Sequence, residues 1–136
     1  MGLVVDTSIT LAWAFHEADA KASEAGDRLR REHALVPSLW WFEVRNGLIM
    51  GERRGLLTEQ RTVRFLRDIS QLALVVDRLP DETRILTLAR RHKLTVYDAA
   101  YLELAVRQAA PLATLDQTLA AAARAETVPI VGDANA

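Results

Sequence analysis

The chain has 136 residues, half of them hydrophobic and 26% charged, a balance that fits one globular domain over residues 1–136. It contains no cysteine, which excludes disulfide frameworks, thiolate zinc sites and thiol nucleophiles, and which fits a reducing, cytoplasmic setting. The formal net charge of −1 gives no general attraction to nucleic acid, so any such binding must be local or metal-mediated. No apolar run approaches the roughly 20 residues that span a bilayer, and no basic stretch precedes the first one, so neither membrane insertion nor a signal peptide is expected.

In chain order, residues 3–5 (Leu-Val-Val) form the first short apolar run and predict a buried strand. A short helix over 9–15 and a charged outer helix over 21–32 follow. Residues 34–36 predict a second strand. Pro37 and Ser38 then open a longer helix through Trp40, Glu43 and Met50, ending between Gly51 and Gly55. The next helix is expected over 58–70, capped by Thr58 and lined with arginines on its wet side. A strand over 72–76, a helix from Pro80 and Asp81 to His92, and a helix over 97–108 come next. Strands over 112–114 and 128–131 flank a last helix over 117–125. This alternation predicts an α/β fold, a parallel β-sheet of about five strands flanked by helices. In such sheets ligands bind beyond the carboxyl ends of the strands, where strand order reverses.

Most of the eighteen acidic residues lie among polar neighbours, where solvated helix faces or caps account for them. Four do not. Asp6 ends the run Leu-Val-Val, and Glu43 sits inside the apolar helix segment Trp-Trp-Phe-Glu-Val. Asp98 opens a nearly uncharged helix, and Asp116 follows Pro-Leu-Ala-Thr-Leu. An isolated buried carboxylate costs several kcal/mol unless it is paired, protonated or bound to a cation. Arg45 is the nearest base, but on a helix it points away from Glu43. Hard divalent cations with oxygen ligands are one resolution. Capping of the following helices is the other for Asp6, Asp98 and Asp116; Glu43 lies too far inside its helix for that. Asp77 also follows a strand, yet it runs into Arg-Leu-Pro-Asp and is expected to be a turn residue.

Four fragments together resemble the PIN-domain ribonucleases, most closely the VapC-type toxins of toxin–antitoxin pairs. They are Val-Val-Asp6-Thr7-Ser8, Glu43-Val-Arg-Asn46-Gly-Leu48, Tyr97-Asp98-Ala-Ala-Tyr101 and Thr114-Leu-Asp116, in that order over essentially the whole chain. The resemblance implies a PIN domain whose pocket binds Mg²⁺ or Mn²⁺ through Asp6, Glu43, Asp98 and Asp116 and hydrolyses RNA phosphodiesters. Thr7, Ser8 and Thr114 would hold these acids or the phosphate through their hydroxyls, and Asn46 would brace the set. Some members carry a further acid where this chain has Thr118, which puts the hold on a second metal in doubt. Metal-assisted attack by water needs no histidine base, and His16, His33 and His92 all sit in charged surroundings.

The resemblance also implies an RNA substrate, a homodimer and a small VapB-type antitoxin. An amphipathic segment beside Trp40 and Trp41, with an arginine reaching Asp6, Asp98 or Asp116, is the expected mode of inhibition. Adjacent helical residues point apart, so only one of the two tryptophans can face the core. Arg53, Arg54, Arg61, Arg64 and Arg67 offer an RNA guide or a solvated face. Three alternatives stay in view. A receiver-like domain with an acidic magnesium pocket would want an acidic pair after the first strand and a late lysine, whereas one acid stands there and the lysines are Lys21 and Lys93. A dehalogenase-like phosphatase would want Asp-x-Asp, and Ser8 holds the second place. The other alternative is a metal-free PIN scaffold serving as a binding module, against which the four intact acids argue.

Overall fold

The structure, a computed structural model, describes residues 2–134. Strand β1 (Gly2–Val5) leads into α1 (Thr7–Ala14) and α2 (Ala20–Arg28), followed by β2 (His33–Pro37), α3 (Leu39–Arg53) and α4 (Glu59–Ile69). Then come β3 (Leu74–Asp77), α5 (Glu82–His92), α6 (Val96–Gln108), β4 (Leu112–Ala113) and α7 (Gln117–Ala125). The four strands form a parallel sheet in the order β3-β2-β1-β4. Val4 pairs with Leu35 on one side and with Leu112 on the other.

Because side chains alternate across a strand, β1 feeds two cores. Val4 and Val36 enter one, with Leu48, Tyr101, Leu102 and Leu119 from the helices. Leu3, Val5 and Ala34 enter the other, with Ile9, Ala22 and Ala25 from α1 and α2. Both faces of the sheet are therefore covered, which is why residues 3–5 carry no polar alternation.

The fifth expected strand is reduced to a single bridge between Leu112 and Ile130. Leu112 donates to Pro129 O (2.9 Å) and accepts from Val131 N (3.0 Å). The ladder stops there because β4 is only two residues long, Pro129 has no N–H, and Gly132 turns away at φ +98°.

Local capping sets the helix starts. Asp6, Asp19, Thr58, Asp81, Thr95 and Asp116 each accept a backbone N–H three residues on. Thr95 caps α6, so the capping explanation of Asp98 fails: Asp98 stands in the first turn.

The packing of α1 on α3 depends on Gly47. A Cβ there would run into the Leu11 side chain, which would have to shift for the two helices to stay this close. That approach brings the start of α1 against the middle of α3. Beyond it, strand order reverses between β1 and β4, and the loops leaving these two strands carry Asp6 and Asp116.

Candidate active site

Asp6 leaves β1 almost wholly buried, at 5% exposure. Its Oδ1 accepts from Ser8 Oγ (2.6 Å) and from Ile9 N (3.1 Å), and its Oδ2 accepts from Thr114 Oγ1. Ser8 Oγ in turn accepts from Leu115 N (2.9 Å), and Thr114 Oγ1 from Asp116 N (3.0 Å). The start of α1 and the loop after β4 are thus sewn together through two hydroxyls. Both carboxylate oxygens of Asp6 are engaged, and by neutral donors only.

Glu43, half-buried on α3, accepts on Oε1 from Thr7 Oγ1 (2.9 Å) and from Tyr101 Oη (2.7 Å). Asp98 lies one turn before Tyr101 on α6 and is half-buried. Its carboxylate has no hydrogen bond among the described residues. Asp116 is exposed and caps α7 through Oδ1, which accepts from Leu119 N (2.9 Å). Asn46, one turn after Glu43, is exposed and bonds to none of the four acids.

Charge links the four acids pairwise, although no three of them stand close enough among the described residues to grip one ion. Burial raises the Asp98 carboxyl above the usual range, and the charges of Asp116 and Glu43 raise it further. Burial likewise pushes Asp6 up to about 6, against the pull of its hydrogen bonds, and Asp98 adds to the rise. No lysine, arginine or histidine forms an ion pair with any of the four among the described residues. Arg45 instead lies over the Trp41 ring at 4.0 Å.

A measurable consequence follows for the metal-free protein. Asp6 resists ionisation in the fold but not in the unfolded chain, where its value is 3.8. Its contribution is therefore fully present below pH 4 and lost as pH rises through about 6. A shift of that size is worth about 3 kcal/mol. Asp6→Asn is expected to remove this slope and to raise metal-free stability above pH 6, as urea unfolding midpoints across pH 4–7 would show. An unchanged slope in the variant would mean that another group carries it.

The chain matches the family model for the PIN domain over residues 3–125. It belongs to the PIN-domain family. It is also 36% identical over 124 residues to Ribonuclease VapC3 of Pyrobaculum aerophilum, covering 88% of this chain and 93% of that protein, so its affinity is with the VapC type. The crystal structure of PAE2754 from the same organism superposes with a TM-score of 0.69 at 25% identity, over 90% of this chain and 87% of that one.

This PIN domain contains two groups that sequence reasoning passed over. Along the sequence Tyr101 stands only as part of a motif, although its spacing of three from Asp98 puts both on one face of α6. Glu103, in the same helix, is fully buried and bonds Arg107 Nε (2.6 Å). Arg107 also clasps Asp77 with bonds of 3.0 and 2.7 Å. Asp77 is thus neutralised at the sheet edge, away from the four acids. The i, i+4 spacing of Glu103 and Arg107 was the available signal.

Proposed function

We propose that this PIN domain is a metal-dependent ribonuclease that hydrolyses RNA phosphodiesters and acts as the toxin of a toxin–antitoxin pair. One observation carries the reading: Asp98 stands in the field of Glu43, Asp116 and Asp6, with no basic side chain paired to any of them. The ribonuclease name of the VapC3 relative supports it.

The donor set suits Mg²⁺ or Mn²⁺. Every candidate ligand is an oxygen, and the unengaged ones are both Asp98 oxygens, Glu43 Oε2 and Asp116 Oδ2. Among the described residues no three acids or histidines stand close enough to grip one ion by themselves. Mg²⁺ ordinarily keeps several waters and takes phosphate oxygens as ligands, so a few carboxylates suffice. When bound, such an ion makes water nucleophilic at neutral pH and neutralises charge on the phosphate.

The chain's own groups then have separable tasks. Ser8 and Thr114 hold Asp6 by donating to its two oxygens, while Thr7 holds Glu43. Asn46 projects into solvent one turn beyond Glu43, where it can meet phosphate. The exposed arginines Arg61, Arg64 and Arg67 of α4 are available to guide an RNA backbone.

Of the two tryptophans only one is open to a partner, as the opposed directions of adjacent helical residues predict. Trp40 is in the core and donates to Thr10 Oγ1 (3.0 Å), so it offers nothing to a partner. Trp41 and Phe42 are the exposed pair, at 50% and 71%. An antitoxin segment would place its apolar side chains there and an arginine at the acids. Homodimerisation through apolar helix faces is carried over from the resemblance; a purely monomeric sedimentation profile would remove it. No helix among the described residues is long and apolar enough to cross a membrane.

The test is cleavage of defined RNAs with and without Mg²⁺. Cleavage should require the ion, Mn²⁺ should substitute, and either should raise the melting temperature, because binding only the folded state stabilises it. Co-expression with the neighbouring reading frame should yield a stable complex that is silent in the same assay. Metal-independent cleavage, or none with any RNA, would sink the catalytic reading. An unbound neighbour would sink only the toxin role.

A further inference from the structure

Three oxygens meet where α1, α3 and α6 converge. Thr7 Oγ1 lies 2.9 Å from Glu43 Oε1, Tyr101 Oη lies 2.7 Å from the same oxygen, and the two hydroxyls are 2.9 Å apart. Two hydroxyls bring two protons to three short contacts. While Glu43 is ionised, one contact therefore always lacks a proton, and the shortest distance marks Tyr101 as donor to the carboxylate. Tyr101 is 2% exposed. A buried phenol needs a partner, but many backbone carbonyls would serve. Here the partner is the one acid lodged mid-helix in α3, and no donor among the described residues reaches its other oxygen.

We propose that Tyr101 is a positioning residue: together with Thr7 it engages Glu43 Oε1, leaving Oε2 as the one Glu43 oxygen available to a cation or to water. A glutamate on a helix has three rotatable side-chain bonds, and two donors on one oxygen restrict the last of them. The carboxylate then presents a single oxygen instead of rotating between one-oxygen and two-oxygen modes. This inference rests on the ribonuclease reading of the acidic site, yet it is separately testable.

The experiment uses the whole chain and Mn²⁺ alone, with affinity measured by calorimetry and RNA cleavage followed in parallel. The variants are Tyr101→Phe, Glu43→Gln and the double substitution. Tyr101→Phe conserves volume and leaves Thr7 on Glu43, so it should fold. It is expected to weaken Mn²⁺ binding about tenfold and to lower kcat by a factor of about 10–100 with KM little changed, the usual range for losing a group that orients a ligand. In the Glu43→Gln background the same substitution should change nothing further, because the group it orients is gone. Wild-type Mn²⁺ affinity in Tyr101→Phe, or equal losses in both backgrounds, overturns the proposal while leaving the ribonuclease reading intact. Glu43→Gln with undiminished Mn²⁺ affinity and cleavage overturns both the proposal and the place of Glu43 in the site. Should Tyr101→Phe not fold, Thr7→Val enters the same cycle, and Thr7→Ser is expected to restore wild-type affinity; failure of Thr7→Val to weaken Mn²⁺ binding likewise overturns the proposal.

Discussion

Asp98→Ala is expected to lower Mg²⁺-dependent RNA cleavage by about 100-fold or more while leaving the metal-free protein as stable as before or slightly more so. The carboxylate of Asp98 accepts no hydrogen bond among the described residues, so its removal strands no donor. It does relieve repulsion from Asp116 and Glu43, which already raise its pKa. Asp6→Ala, Glu43→Ala and Asp116→Ala should also abolish most cleavage. Their stability effects will be mixed, because Asp6 and Asp116 cap α1 and α7 and Glu43 receives two hydroxyls.

Asp77→Ala is the matched control. It breaks the two bonds to Arg107 and should cost about 1–3 kcal/mol, yet cleavage per folded molecule should stay near wild type. Unfolding midpoints and cleavage rates on the same preparations separate the two effects. A folded but inactive Asp77→Ala beside an active Asp98→Ala would mean that the wrong carboxylates had been assigned to the site.

The largest loss of stability is expected from Arg107→Ala. Arg107 makes four guanidinium–carboxylate hydrogen bonds, two within α6 and two that join α6 to the end of β3. It bonds Glu103 at 2.6 and 3.0 Å and Asp77 at 3.0 and 2.7 Å, and these two acids raise its own pKa, Glu103 the more. Glu103 is fully buried. Without the guanidinium its charge has no counter-ion, a situation that costs about 3–5 kcal/mol. Against a total stability of about 5–15 kcal/mol for a domain, that is a large share. Arg107→Lys should recover little, because an ammonium cannot reproduce the planar fork between two carboxylates. Glu103→Leu combined with Arg107→Leu should recover more, since no buried charge is then stranded. Denaturant midpoints decide the point: a loss below about 1 kcal/mol for Arg107→Ala would reduce the network to a surface contact of ordinary worth.

Much of the molecule was legible along the chain because its signals are local. A cap acts over three residues, and so Thr58 and Asp81 marked helix starts that the structure repeats. Helix α7 coincides with residues 117–125 for the same reason, bounded by Asp116 before it. The unalternated run Leu3-Val-Val showed a strand covered on both faces, and the opposed directions of adjacent helical residues showed that Trp40 and Trp41 must part company. The four acids with no basic neighbour stood out by their apolar settings.

What the tertiary structure decided involves groups far apart in the chain. Which tryptophan turns inward depends on Thr10 being there to accept from Trp40, thirty positions away. That Thr95 rather than Asp98 caps α6 is a local choice between two competent residues, settled by where the loop after α5 delivers the chain. The strand expected over 128–131 is reduced to one bridge because β4 supplies only two residues to pair with. The contacts that shape the site have sequence separations of 36, 58 and 108 residues. No periodicity or spacing encodes such pairs, for they exist only after β1 and β4 have become neighbours and Gly47 has let α1 settle on α3. Composition and local propensity therefore determined that these acids were costly; only the packed fold determined which hydroxyls hold Asp6 and Glu43, and that Asp77 is spoken for by Arg107.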